Sequence, residues 1–170
     1  MDLIRHTLFR PARPAPAGRG VRVAVWLTVA GSLVYTGQKM YMAAHGEIGM
    51  PGHPAPADVQ AQFEHPRLAQ AGNAALGLVA ALVAWSTIAR WGARIPRWAL
   101  LCALTLTAVL QVLGALITVQ RADLDPAHLG WGSAYEAVAG GVGLAAWIVV
   151  LVSYVLRSRP RAGAAAKAHP

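Results

Sequence analysis

The chain alternates between long apolar blocks and short polar punctuation. Four blocks, at about 21–44, 68–89, 98–119 and 131–156, approach or exceed the roughly 20 residues that carry a helix across a bilayer core. The segments between them are rich in Pro, Gly and charge: MPGHPAPADVQAQFEHP, RWGARIPRW and QRADLDPAHLGWG. Backbone surrounded by hydrocarbon has to satisfy its own polar groups, so helices are the structure these blocks predict. The fold class that follows is all-α: a polytopic membrane protein with four transmembrane helices in an antiparallel bundle. Residues 21–156 form the transmembrane domain. A basic arm, 1–20, and a basic tail, 157–170, flank it, and both are expected to be disordered. Within the first long loop, ADVQAQFEH predicts a short amphipathic helix capped by Asp58, with Val59 and Phe63 resting on the membrane interface.

Composition supports this reading. The chain is 56% hydrophobic and 13% charged, against roughly 25% charged in an ordinary soluble domain. The net charge of +8 is not spread as a nucleic-acid footprint, and nucleic acid is not an expected partner. Arg5, Arg10, Arg13 and Arg19 precede the first block and Arg22 stands at its mouth; Arg90, Arg94 and Arg97 lie between the second and third; Arg157, Arg159, Arg161 and Lys167 follow the fourth. The other two loops hold only Arg67 and Arg121. By the positive-inside rule both termini and the 90–97 loop are cytoplasmic, in a bacterial inner membrane. The first apolar run is longer than the roughly 7–15 residues of a signal-peptide core, which predicts an uncleaved first helix. Trp26, Trp91, Trp98, Trp131 and Tyr154 fall near block ends, as an aromatic belt would. The lone cysteine, Cys102, excludes an internal disulfide and is expected as a small core residue. Small residues in the fourth block (Ser133, Ala137, Gly140, Gly141 and Gly143) are expected to let helices approach closely. Richness in Ala, Arg, Gly and Pro points to a GC-rich, actinobacterial source.

The candidate chemistry lies in the outer half of the bundle. Lys39 is about 18 residues into the first block, roughly 27 Å at 1.5 Å per residue, and Glu136 is about 8 Å into the fourth from the other side. Two opposite charges at one depth predict an ion pair, because a lone intramembrane charge is unfavourable. Tyr35, Gln38, Met42 and His45 share or adjoin the Lys39 face by helical spacing. Gln70, Asn73, Gln111, Gln120, Ser133 and Tyr135 fall at the same level. The expected binding cluster is therefore Lys39, Glu136, Tyr35, Gln38, His45, Asn73, Gln111 and Tyr135. Such a cluster either fixes helix register or serves as a site for a ligand, and the sequence leaves both open.

KMYMAAHGEIGMPGH invites a metal reading, since Met42, His45, Met50 and His53 are soft or borderline ligand types. Their spacing forms no ligand motif, so no metal or other cofactor is expected. No phosphate loop, nucleophile elbow or dinucleotide fingerprint is present, and no catalytic residues are assigned.

YTGQKMYMAAHGEIGMPG, with its lysine and aromatics at the end of the first block, and RWGARIPRWALL, carrying Trp91, Gly92, Pro96, Arg97 and Trp98, stand in that order in the chain. Together they resemble a family of small uncharacterised actinobacterial membrane proteins with four helices. The likeness spans about 21–156. The chain departs from the family pattern at Met42, where a tryptophan is usual, and at His45-Gly46, where a Gly-Gly pair is usual. The resemblance implies a four-helix integral membrane fold and brings no catalytic residues. The function expected is binding of a partner protein, lipid or small ligand in the outer polar pocket. Its rivals are a transporter working as an oligomer or within a larger assembly, and a membrane-embedded enzyme. The expected partners are the lipid bilayer and either a second copy or another membrane protein.

Overall fold

The computed structural model describes residues 14–124 and 131–159, and within them the side chains of residues 53, 117–124 and 131–137 lie outside the description. The structure is mostly helical, with almost no strand. Helix α1 runs Arg19–His45. A two-residue hairpin follows, β1 (Gly49–Met50) pairing antiparallel with β2 (His53–Pro54). One helical turn, α2 (Ala57–Gln60), leads to α3 (Pro66–Ser86). A 3₁₀ turn at Trp91–Arg94 connects α3 to α4 (Arg97–Leu124), and α5 spans Trp131–Arg157. Helices α1, α3, α4 and α5 are each long and apolar enough to cross a membrane.

Local sequence accounts for the ends of these elements. Pro66 starts α3, where its missing N–H costs nothing. Gly46 ends α1 at φ 74°, and the Gly46 and Glu47 N–H groups return to the Ala43 and Met42 carbonyls. This left-handed cap is costly for a residue with a Cβ. The loop helix is shorter than the pattern predicts. Pro56, not Asp58, sits at its N-cap, and Asp58 falls inside the first turn.

Helix α3 packs most extensively on α1, and the reason is legible along one seam. Gln70, Ala74, Gly77, Ala81 and Ala84 are all buried at alternating spacings of four and three. Small residues on such a seam let two backbones approach closely. The Thr36 hydroxyl donates to Ser32 O at 2.8 Å on its own helix and reaches Ala74 O on α3 at 3.3 Å. A Cβ placed on Gly77 would come within 2.5 Å of Thr36 Oγ1 and 3.2 Å of Ser32 O. Gly77→Val is therefore expected to lower stability by about 1–3 kcal/mol through overpacking. Gly141→Val, where a Cβ meets nothing within 4 Å, is expected to stay within about 0.5 kcal/mol. Denaturant titration of both variants in detergent checks the contrast.

The core gathers where α4 begins and α5 ends. Ala24 and Val25 of α1, Ala80 and Ala84 of α3, Leu100 and Leu104 of α4, and Trp147, Val150 and Tyr154 of α5 form one buried cluster. Trp147 is fully buried and its indole N–H donates to Leu104 O at 2.9 Å. Toward the opposite end the described parts of α4 and α5 are largely bare. From Val109 to Leu116 every residue but Gln111 is exposed, as is every residue from Val138 to Val142.

Three sequence expectations are corrected. Cys102 is exposed on α4 rather than in the core. Gly140 and Gly141 are exposed, and a Cβ there or on Gly143 would meet nothing within 4 Å, so close approach is made by Gly77 instead. Tyr154 is 1% exposed and belongs to the core, not to an aromatic belt, while Trp26, Trp91 and Trp98 are exposed. Arg157, which composition groups with the tail, is the last residue of α5.

Candidate functional site

Two polar regions stand out, one at each end of the helices. The first is the hairpin end, where α1 finishes. Lys39 is half-buried, and its ammonium donates to Gly49 O of β1 at 2.8 Å. The same ammonium lies 5.4 Å from the centre of the Tyr35 ring, a cation–π contact one helical turn back. One lysine thus ties the hairpin to the end of α1, a role the sequence pattern did not disclose. Met42 is 1% exposed, and so is Gln70 of α3. The Thr36–Ala74 bond and the packing of the Arg67 side chain on Gly46 bracket this level, with Gln70 between them. The Gln70 carbonyl oxygen, Oε1, is buried with no hydrogen-bond partner. Leaving such an acceptor unpaired costs about 1–3 kcal/mol.

The other expected site residues spread out. Gln38 is half-buried beside Lys39. His45 is exposed, with its Nδ1 2.9 Å from Tyr41 O and its ring 4.2 Å from that of Tyr41. Asn73 lines a shallow groove with Phe63, His65, Leu68 and Leu76 on the flank of α3. Gln111 lies on the bare stretch of α4. Tyr135 and Glu136 are in α5, but their side chains lie outside the described residues, as do those of Ser133 and Gln120. The metal candidates do not share one setting. Met42 is buried in α1, Met50 is half-buried in β1, His45 is exposed, and the His53 side chain is outside the described set. Among the described residues no group of three or more His, Cys, Asp or Glu could hold a metal ion.

The second region is the arginine end. Arg157 Nη2 donates to Thr87 O at the end of α3, its Nη1 to Ala15 O of the N-terminal segment, and its Nε to Ser153 Oγ. The Ala15 N–H returns a bond to Arg157 O at 3.1 Å. Arg97, at the start of α4, donates through Nε to Ser158 Oγ at 3.1 Å. Tyr154 lies one helical turn before Arg157 and Ser158, and its hydroxyl is buried without a hydrogen-bond partner among the described residues. Sequence reasoning missed this assembly because it weighed Arg97 and Arg157 only as topology signals. The signal was available: Tyr154, Arg157 and Ser158 are three and four apart and share one helix face.

The described hydroxyls inside the helices need no such explanation. Thr28 and Thr107 each donate to the carbonyl four residues back, Ala24 and Ala103, which makes them tolerable in an apolar helix. Compared with known proteins, the chain matches no family model, no curated protein and no solved structure.

Proposed function

We propose that this chain is a small integral membrane protein that binds a partner protein, lipid or small ligand in a polar pocket at the hairpin end. In this reading the four apolar helices cross a bacterial inner membrane as an antiparallel bundle. The arginine end, with both termini, faces the cytoplasm and the hairpin end faces outward. Lys39 and Glu136 face each other across the outer half. The resemblance to the actinobacterial four-helix family fits the same picture.

The observation that carries the proposal is the buried, unpartnered Gln70 Oε1. A purely structural seam of small residues has no use for an amide there, since leucine would fill the space without an unsatisfied acceptor. A ligand bearing an N–H or O–H donor supplies the missing bond. The exposed apolar surface of α1, α3, α4 and α5, including Leu33, Val79, Leu110 and Val149, suits a lipid surround.

Gln70→Leu separates binding from structure. The substitution is expected to stabilise the ligand-free protein by about 1 kcal/mol, because it removes an unsatisfied buried acceptor. It is also expected to abolish stabilisation by ligand. The measurement is thermal unfolding in neutral detergent, with a bacterial polar lipid extract and a panel of small amines and polyols as probes. A wild-type protein that no probe stabilises, or a Gln70→Leu variant that responds as the wild type does, refutes the proposal.

A further inference from the structure

We propose that the arginine end holds a phosphate group, bound by the Arg97 and Arg157 guanidiniums with the Tyr154 hydroxyl beneath them. The pocket proposed above is at the other end of the helices, so the two readings stand apart.

The chemistry follows from donors that outnumber their described acceptors. Arg97 spends only its Nε, on Ser158, so both terminal nitrogens keep their N–H groups. Arg157 is held rigidly by Ser153, Ala15 and Thr87, yet its five N–H donors exceed the bonds these make. Tyr154 lies one helical turn before Arg157 and Ser158, and its buried hydroxyl is an unpartnered donor among the described residues. Helix α4 starts at Arg97 with no acid in its first turn, so the positive end of its dipole falls at the same place. Among the described residues the acids whose side chains are placed are Glu47, Asp58 and Glu64, all in the segment between α1 and α3 and none near this cluster.

An assembly of arginines, a tyrosine hydroxyl and a helix N-terminus, with no carboxylate beside it among the described residues, calls for an anion with several oxygens. Planar guanidiniums match phosphate oxygens in pairs. Water would satisfy the hydroxyl but would leave both cations without a nearby counter-charge among the described residues. Two sources offer the group: the phosphodiester of an anionic lipid, which relies on the membrane reading, and free phosphate, which does not. The three bonds that Arg157 makes to Ser153, Ala15 and Thr87 favour a defined site over a diffuse basic surface.

The test uses the full chain in neutral detergent micelles and ³¹P NMR line broadening. Phosphatidylglycerol, phosphatidylcholine and inorganic phosphate are titrated separately. Arg97→Gln is expected to weaken binding about tenfold through loss of a charge-assisted contact. Tyr154→Phe is expected to weaken it about threefold, the scale of one neutral hydrogen bond. Arg159→Gln removes the same charge from an exposed position and is expected to change affinity less than about twofold. Arg97 makes a single side-chain bond, so its variant tests the site without dismantling the Arg157 assembly. Broadening of phosphatidylglycerol alone assigns a lipid headgroup, and broadening of inorganic phosphate to a similar degree assigns a free phosphate. If no probe broadens, if Arg97→Gln and Tyr154→Phe bind as the wild type, or if Arg159→Gln loses as much as Arg97→Gln, the site does not exist.

Discussion

Trp147→Ala is expected to cost about 3–5 kcal/mol, the range for truncating a fully buried aromatic residue. Trp147 sits in the one cluster where all four long helices meet, against residues such as Leu104, Ala84 and Val25. On the proposed membrane reading the loss is not one of water exclusion, since hydrocarbon solvates apolar side chains as well as the interior does. It is a loss of van der Waals contact and of a bond between helices. The indole donates to Leu104 O, so the alanine variant loses the packing and the bond together. Trp147→Phe separates the two. It keeps most of the ring and removes the donor, and is expected to cost about 1 kcal/mol. Equilibrium unfolding in mixed micelles reads both. A cost for Trp147→Ala no larger than that of an exposed residue such as Trp26→Ala would show that the four helices do not meet at Trp147.

The existence of the four long helices was legible because block length alone nearly decides it. The observed bounds differ from the predicted ones mostly by a few residues. Packing was less legible, and for a physical reason. In chains rich in Ala and Gly many faces offer small residues, and spacing does not say which face meets a partner. The fourth apolar block looked like the close-packing surface, yet Gly140 and Gly141 lie open while Gly77 carries the tight contact. The same spacing rule applied to the second block would have found Gln70, Ala74, Gly77, Ala81 and Ala84. Lys39 was singled out as an intramembrane charge, and its bond to Gly49 could not be foreseen because Pro51 and Gly52 left the loop path open. Tyr154 was misjudged because a residue near a block end reads as interfacial, and only tertiary packing puts it inside; Arg157 reads as a tail charge and is half-buried at the end of α5.

Gly92→Ala is expected to destabilise the protein by about 3 kcal/mol, at the upper end of ordinary overpacking. Gly92 is buried in the 3₁₀ turn that reverses the chain between α3 and α4. A Cβ there would fall onto the backbone carbonyl of Ser86. A side-chain neighbour could rotate away, but a carbonyl in the last turn of a helix moves only if the turn opens. Opening it would carry Thr87 away from Arg157 and Ile95 away from the core, because both lie within this short connection. The effect therefore reaches beyond the turn, and the Gly92→Ala and Arg157→Gln costs should be less than additive, since each loosens the Thr87 contact. Gly31→Ala is the control. Gly31 is exposed inside α1 with nothing within 4 Å of a Cβ, so alanine there is expected to be neutral or to stabilise by up to about 1 kcal/mol through helix propensity. Thermal unfolding of the two alanine variants side by side decides the matter: equal midpoints would mean that the 86–97 connection is not as tight as the Ser86–Gly92 contact requires.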